Sequence, residues 1–86
     1  MHQHTLNLAV QAMEELYGLS QGKAHCTYLP AVYSGPGWME DSAFHVSLHF
    51  TRSDGRRIHV NHLMAGTAAI EPTIQTLARK LVAQLH

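Results

Sequence analysis

With 86 residues, six Lys and Arg against six Asp and Glu, and a formal net charge of zero, the chain can build one compact core and carries no overall field that would draw it to a polyanion. Its single cysteine excludes an internal disulfide framework or a Cys-paired zinc knuckle and fits a reducing cytoplasm. No apolar run reaches the roughly 18 residues of a membrane span, and the opening MHQHTLN lacks the basic and apolar regions of a secretory leader; the expectation is one soluble cytoplasmic domain over residues 1–86, frayed at 1–4, with no membrane contact.

Leu6, Ala9, Val10, Met13, Leu16 and Tyr17 recur at helical spacing. With Thr5 as a cap and Gly18 as a left-handed stop, the first helix is predicted from Leu6 to Tyr17. Ser20-Gln21-Gly22-Lys23 reads as a loop. The following His25 to Tyr33 is rich in strand formers but broken by Pro30, which places it at a sheet edge or a bulge. Ser34-Gly35-Pro36-Gly37-Trp38-Met39-Glu40-Asp41-Ser42 reads as irregular. Its tryptophan is either a lid folded over the edge of the small core or an exposed anchor for a partner.

Phe44, Val46, Leu48 and Phe50 then alternate with His45, Ser47, His49 and Thr51, the two-residue period of a strand with one buried face. Ser53-Asp54-Gly55 makes a turn into a second alternating run, in which Arg57, His59 and Asn61 flank Ile58 and Val60. A two-residue Asp54-Gly55 loop would pair Phe50 with His59 and mix the faces. A three-residue loop with Gly55 left-handed pairs Phe50 with Ile58 and Leu48 with Val60, so it is the one predicted. His49 then opposes His59, Ser47 opposes Asn61 and Thr51 opposes Arg57, all away from the core. After Leu63-Met64-Ala65-Gly66 the last helix starts at Thr67 with a kink or at Pro72, and Ile74, Leu77, Ala78, Leu81, Val82 and Leu85 form its apolar stripe. The fold class is α+β in the order α-β-β-β-α, with two helices on one face of a three-stranded antiparallel sheet.

This order, with Tyr28 in the first strand, Ser34-Gly35-Pro36-Gly37 in the next loop and Phe44-x-Val46-x-Leu48 in the second strand, resembles the double-stranded RNA-binding domain. The resemblance spans Leu6 to Leu85 and implies RNA binding through that loop and through a lysine cluster at the start of the last helix. Here Trp38 stands near the position of the family's loop histidine, and Thr67-Ala68-Ala69-Ile70-Glu71-Pro72 contains no lysine. A nucleic-acid role would therefore draw on Arg52, Arg56, Arg57, Arg79 and Lys80.

Eight histidines, dispersed along the chain, are the compositional anomaly. His45, His49 and His59 project from one sheet surface. They are read as plain polar surface, as part of a partner-contacting face, or as a zinc site completed by water or a carboxylate, although no finger or His-Glu-x-x-His spacing accompanies them. His62 falls on the inward side opposite Val46, as a half-buried side chain. Cys26 reads as a small apolar residue, with no base nearby in sequence to make it a nucleophile.

The absence of a phosphate loop, nucleophile elbow or carboxylate dyad argues against catalysis, and no cofactor is implied. The expected function is that of a small non-enzymatic module that binds a protein, a regulator or inhibitor of the size that phages and mobile elements encode. Its contacts are placed on Trp38, Met39, Glu40, Asp41, His45, His49, Arg56, Arg57, His59 and Asn61. RNA binding is the alternative, a histidine-based metal protein the second. Pairing of two copies through an edge strand or the histidine face is a further option.

Overall fold

The computed structural model describes residues 2–33, 39–40 and 42–86. Its elements are α1 (His2–Tyr17), β1 (Ser20–Leu29), β2 (Val32–Tyr33), β3 (Met39–Glu40), β4 (Ala43–Thr51), β5 (Arg57–Ala65) and α2 (Ile70–Leu85). β1, β4 and β5 form an antiparallel sheet in that spatial order, and β2 and β3 pair in a separate two-stranded ribbon. The class is α+β, and the three long strands between two helices give the α-β-β-β-α layout.

Both helices lie on one face of the sheet, α1 against β1 and α2 against β5, and they touch each other. Leu6, Val10 and Met13 from α1 and Ile70, Leu77 and Leu81 from α2 close over Ala24, Val46, Leu48, Phe50, Ile58, Val60 and Met64 from the strands. The inward positions of β4 and β5 are the aliphatic and phenyl half of each alternating run, because a strand sends successive side chains to opposite faces. His62 is half-buried on that inward side opposite Val46.

α1 stops as its glycine dictates. Gly18 has φ +66° and Leu19 N–H donates to the Glu14 carbonyl at 2.9 Å, the six-to-one bond that closes a helix over a left-handed residue. The helix begins earlier than Leu6, however, and includes residues 2–4. Thr5 is inside it, and the Gln3 amide donates to the Ala24 carbonyl at 2.8 Å, fixing the first turn to β1. Leu16, expected in the apolar stripe, is 73% exposed, since Tyr17 and Leu19 occupy the end of the core beside it.

Ser20 to Lys23 is strand rather than loop. β1 starts at Ser20 opposite Thr51 and resumes its register at Lys23 opposite His49, with an irregularity between them at Gln21, whose φ is +52°. At Gly22 a side chain would collide with Val10 and Glu14 of α1, so only glycine lets strand and helix approach so closely. β1 ends at Leu29, one residue before Pro30, and Val32–Tyr33 leaves the main sheet to pair with Met39–Glu40. Those last two residues were expected in irregular chain. A two-residue ribbon strand escapes a period-two reading because it has no room for a period.

The hairpin has the anticipated register: Phe50 pairs with Ile58, His49 with His59, Leu48 with Val60, Ser47 with Asn61 and Thr51 with Arg57. Gly55 has φ +87°, its N–H donates to the Arg52 carbonyl at 2.9 Å, and Arg52 N–H donates to the Arg56 carbonyl at 2.8 Å. Ser53-Asp54-Gly55 is thus a three-residue loop with its last member left-handed. β5 then continues through Leu63 to Ala65. α2 begins at Ile70, ahead of Pro72, which sits in the first turn where backbone N–H groups have no helical acceptor in any case.

Candidate functional site: the open sheet face

No described element lies over the other side of the sheet. Pairing sets its side chains in rows: Lys23, His49 and His59; His25, Ser47 and Asn61; Thr27, His45 and Leu63; Leu29, Ala43 and Ala65. Thr51 and Arg57 continue the pattern toward the hairpin tip. Among the described residues this face carries no carboxylate. Glu14 and Glu15 lie on α1, Glu71 on α2 and Asp54 in the hairpin loop.

The backbone pattern explains why His49 and His59 meet. Lys80 Nζ on α2 donates to the Asn61 carbonyl at 2.7 Å, and Gln84 Nε2 donates to the His59 carbonyl at 2.8 Å. Those two carbonyls therefore point away from β4. Across β4 and β5 the His49–His59 and Ser47–Asn61 pairs are the ones without mutual hydrogen bonds, in which side chains stand closer together. The two imidazoles stack with ring centroids 4.3 Å apart and planes 9° from parallel, while His25 meets His49 edge-on at 5.6 Å. Ser47, the smallest of the polar side chains here, is 7% exposed between its larger neighbours.

Lys23, His25, His49, His59, Thr51, Arg57 and Gln21 line a groove of about 540 Å³ over this end of the face. Partial desolvation, and then repulsion from His59, His25 and Lys23, lowers the pKa of His49 below its ordinary value. The opposite end is apolar: Leu63 is 60% exposed and Leu29 41% exposed, beside Ala43 and Ala65. The face thus grades from cation and imidazole to aliphatic side chain along the strands.

Of the expected partner-contacting residues, His45, His49, His59, Asn61 and Arg57 share this face, and exposed Arg56 adjoins it at the tip. Met39 and Glu40 form β3 in the separate ribbon. Trp38 and Asp41 lie outside the described residues. Lys23, His25, Thr27, Leu29 and Leu63 belong to the face without having been singled out. For the β1 residues the signal is the alternation of Lys23, His25, Thr27 and Leu29 with Ala24, Cys26 and Tyr28, and Lys23 joins it only because β1 extends back to Ser20; Leu63 continues the alternation of β5 beyond Asn61.

His45, His49 and His59 do not converge. His45 is two rows' spacing from the stacked pair along β4, and among the described residues no group of three or more His, Cys, Asp or Glu side chains is arranged to hold a metal ion. Stacked rings present π-faces to each other rather than aiming nitrogens at one point, as tetrahedral coordination requires. Cys26 is half-buried on the inward side, and burial raises its thiol pKa, which disfavours the thiolate.

The cations grouped for a nucleic-acid role are dispersed. Arg52 pairs with Asp54 at 3.8 Å, Arg79 donates to Thr76 Oγ1 at 3.3 Å, and Lys80 caps the β5 edge. No helix among the described residues is long and apolar enough to cross a membrane. Compared with known proteins, the chain matches no family model, no curated protein and no solved structure.

Proposed function

We propose that the chain is a non-enzymatic binding module that docks a protein on the open face of its sheet, acting as a regulator or inhibitor by occupying the partner's surface. The observation that carries this reading is the composition of the uncovered face: basic and imidazole side chains at one end, Leu63 and Leu29 exposed at the other, and no carboxylate among its described residues. An interface that joins an apolar patch to a polar rim is the usual anatomy of protein docking. The expected partner carries an apolar contact beside an acidic one.

RNA binding in the manner of the resembled domain has less support. That mode relies on phosphate contacts from clustered cations, each of which adds affinity through counterion release. Here Arg52, Arg56 and Arg57 sit at the hairpin, whereas Arg79 and Lys80 sit on α2, and Lys80 is bonded to β5. The Trp38 loop is retained as a second contact of the protein-docking reading.

Face-specific photocrosslinking tests it. A benzophenone side chain replaces Asn61 on the open face or exposed Gln11 on α1, and the two variants are irradiated in cells of the protein's own source. Discrete protein adducts at position 61 that are absent at position 11 are expected. Adducts to nucleic acid, or equal adducts from both positions, would contradict the proposal.

A further inference from the structure

We propose that Lys23, His25, His49, His59 and Arg57 form one anion site, which takes the carboxylates of an acidic peptide segment on the partner and binds a proton as it fills. The inference rests on the protein-docking reading and names the chemistry that reading needs at the basic end of the face.

The geometry is that of a site with two fixed cations and three titratable rings around one groove of about 540 Å³. Each strand of the three-stranded sheet contributes: Lys23 and His25 from β1, His49 from β4, Arg57 and His59 from β5. His45, four residues farther along β4 and two rows away, is the remaining titratable group on the face among the described residues. Asp54 is the nearest acid in the hairpin. Its carboxylate accepts from Arg56 N–H at 3.0 Å and faces Arg52 at 3.8 Å, so it is engaged at the tip.

In the empty groove a proton on one ring of the stack is opposed by whatever charge the neighbours carry, because the rings are 4.3 Å apart and Lys23 is in the same row. Partial desolvation first, and that opposition second, hold the pKa of His49 below its ordinary value. An incoming carboxylate reverses the balance. It neutralises the accumulated charge, and an imidazolium gives it a second donor and a charge-assisted hydrogen bond, where a neutral imidazole offers a single N–H. Proton and anion therefore favour each other's binding, and by linkage the affinity for the anion rises as pH falls through the histidine range.

A carboxylate-bearing segment suits the site better than a nucleic-acid strand. The rows beyond the groove turn to Leu63 and Leu29, which fit side chains of a peptide rather than a continuing phosphate chain. Glutamate also keeps its charge throughout the range in which histidine titrates, so any pH dependence belongs to the protein.

The test is a titration of the intact chain with hexaglutamate at low ionic strength, near about pH 6 and about pH 7.5. Affinity is read by calorimetry in two buffers of different ionisation enthalpy, and the site by NMR of the histidine ring protons. The expected result is binding roughly tenfold tighter at the lower pH, since each linked proton contributes up to about tenfold per pH unit. Net proton uptake and ring shifts at His25, His49 and His59 are expected with it. A doubly substituted chain, His49→Gln with His59→Gln, keeps weak binding through Lys23 and Arg57 and loses most of the pH dependence, the remainder belonging to His25. Both positions are exposed, and an unchanged circular dichroism spectrum checks that the fold is retained.

Equal affinity of the unsubstituted chain at both pH values would overturn the proton link. Absence of hexaglutamate binding, or preference for a single-stranded hexauridylate, would overturn the acidic-peptide occupant. Either failure, with protein adducts still forming at position 61, discards this site and leaves the docking reading standing.

Discussion

His49 occupies the middle strand with His59 stacked on one side and His25 and Lys23 on the other, so a proton placed on its ring meets unfavourable neighbours in both directions. Its pKa in the fold lies below the ordinary histidine value, first through desolvation and then through those charges. The unfolded chain, free of these neighbours, therefore binds more protons than the folded one as pH drops below about 6.5. Stability falls with pH in that window, and the loss is complete once pH passes below the depressed folded value. The melting temperature of the free protein should drop between about pH 7.5 and about pH 5.5. His49→Gln should show a smaller drop. Identical drops in the two proteins would remove His49 as a source of acid sensitivity. Acid thus weakens the free fold while tightening anion docking, two effects of opposite sign that share the same ring.

At the level of elements, the hairpin is the part most legible in the chain. Four aliphatic or phenyl residues on β4 and two on β5 fix which side faces inward, and Gly55 selects the loop length that keeps both strands in phase. The resulting division of faces predicts a contrast between two leucines. Leu48 is wholly buried and Leu63 is 60% exposed. Leu48→Ala should cost about 2–5 kcal/mol in denaturant unfolding, the range for an emptied core leucine. Leu63→Ala should stay within about 0.5 kcal/mol, as surface substitutions do. Comparable losses at both positions would mean that the outer face is covered.

Other elements depended on partners distant in sequence. Residues 2–4 have no apolar periodicity, and the bond from Gln3 to Ala24 that fixes them crosses to another element. Ser20 to Lys23 looks like a loop because it is polar and contains glycine, yet it pairs with β4 and uses Gly22 to pass beneath α1. The edge of β5 was equally hidden. Lys80 and Gln84, four residues apart on α2, reach carbonyls two residues apart on β5, because four helical residues advance about 6 Å and two strand residues about 6.8 Å. Both side chains lie outside the apolar stripe of the helix, where nothing local marks a contact with a strand edge. Their bonds instead shield an edge that would otherwise be free to pair with another strand.

For the whole molecule, a net charge of zero conceals an uneven distribution. Lys23 and Arg57 share a face with His25, His45, His49 and His59, whereas the carboxylates of Glu14, Glu15 and Glu71 are on the helices. Half of the candidate site was legible, since the alternation of β4 and β5 placed His49, His59, Asn61 and Arg57 together. The other half was not, because the contribution of β1 depended on a register that its bulge between Ser20 and Lys23 interrupts. That strand was expected only from His25 onward; its earlier start adds Lys23 beside His49 and turns a line of histidines into a groove with fixed charge. His45, four residues from His49 along β4, stands apart from the His49–His59 pair by its spacing alone.

The central claim is that two helices cover one side of the sheet and leave the other open to a partner. Solvent paramagnetic relaxation by a neutral gadolinium chelate measures this directly on the free protein. Strong relaxation is predicted for protons of Thr27, His45, His49, Asn61 and Leu63, with the side chains of Val46, Leu48, Val60, Leu77 and Leu81 protected. Protection of the first group at every protein concentration would contradict the account, because the proposed docking face would then already be occupied within the chain itself.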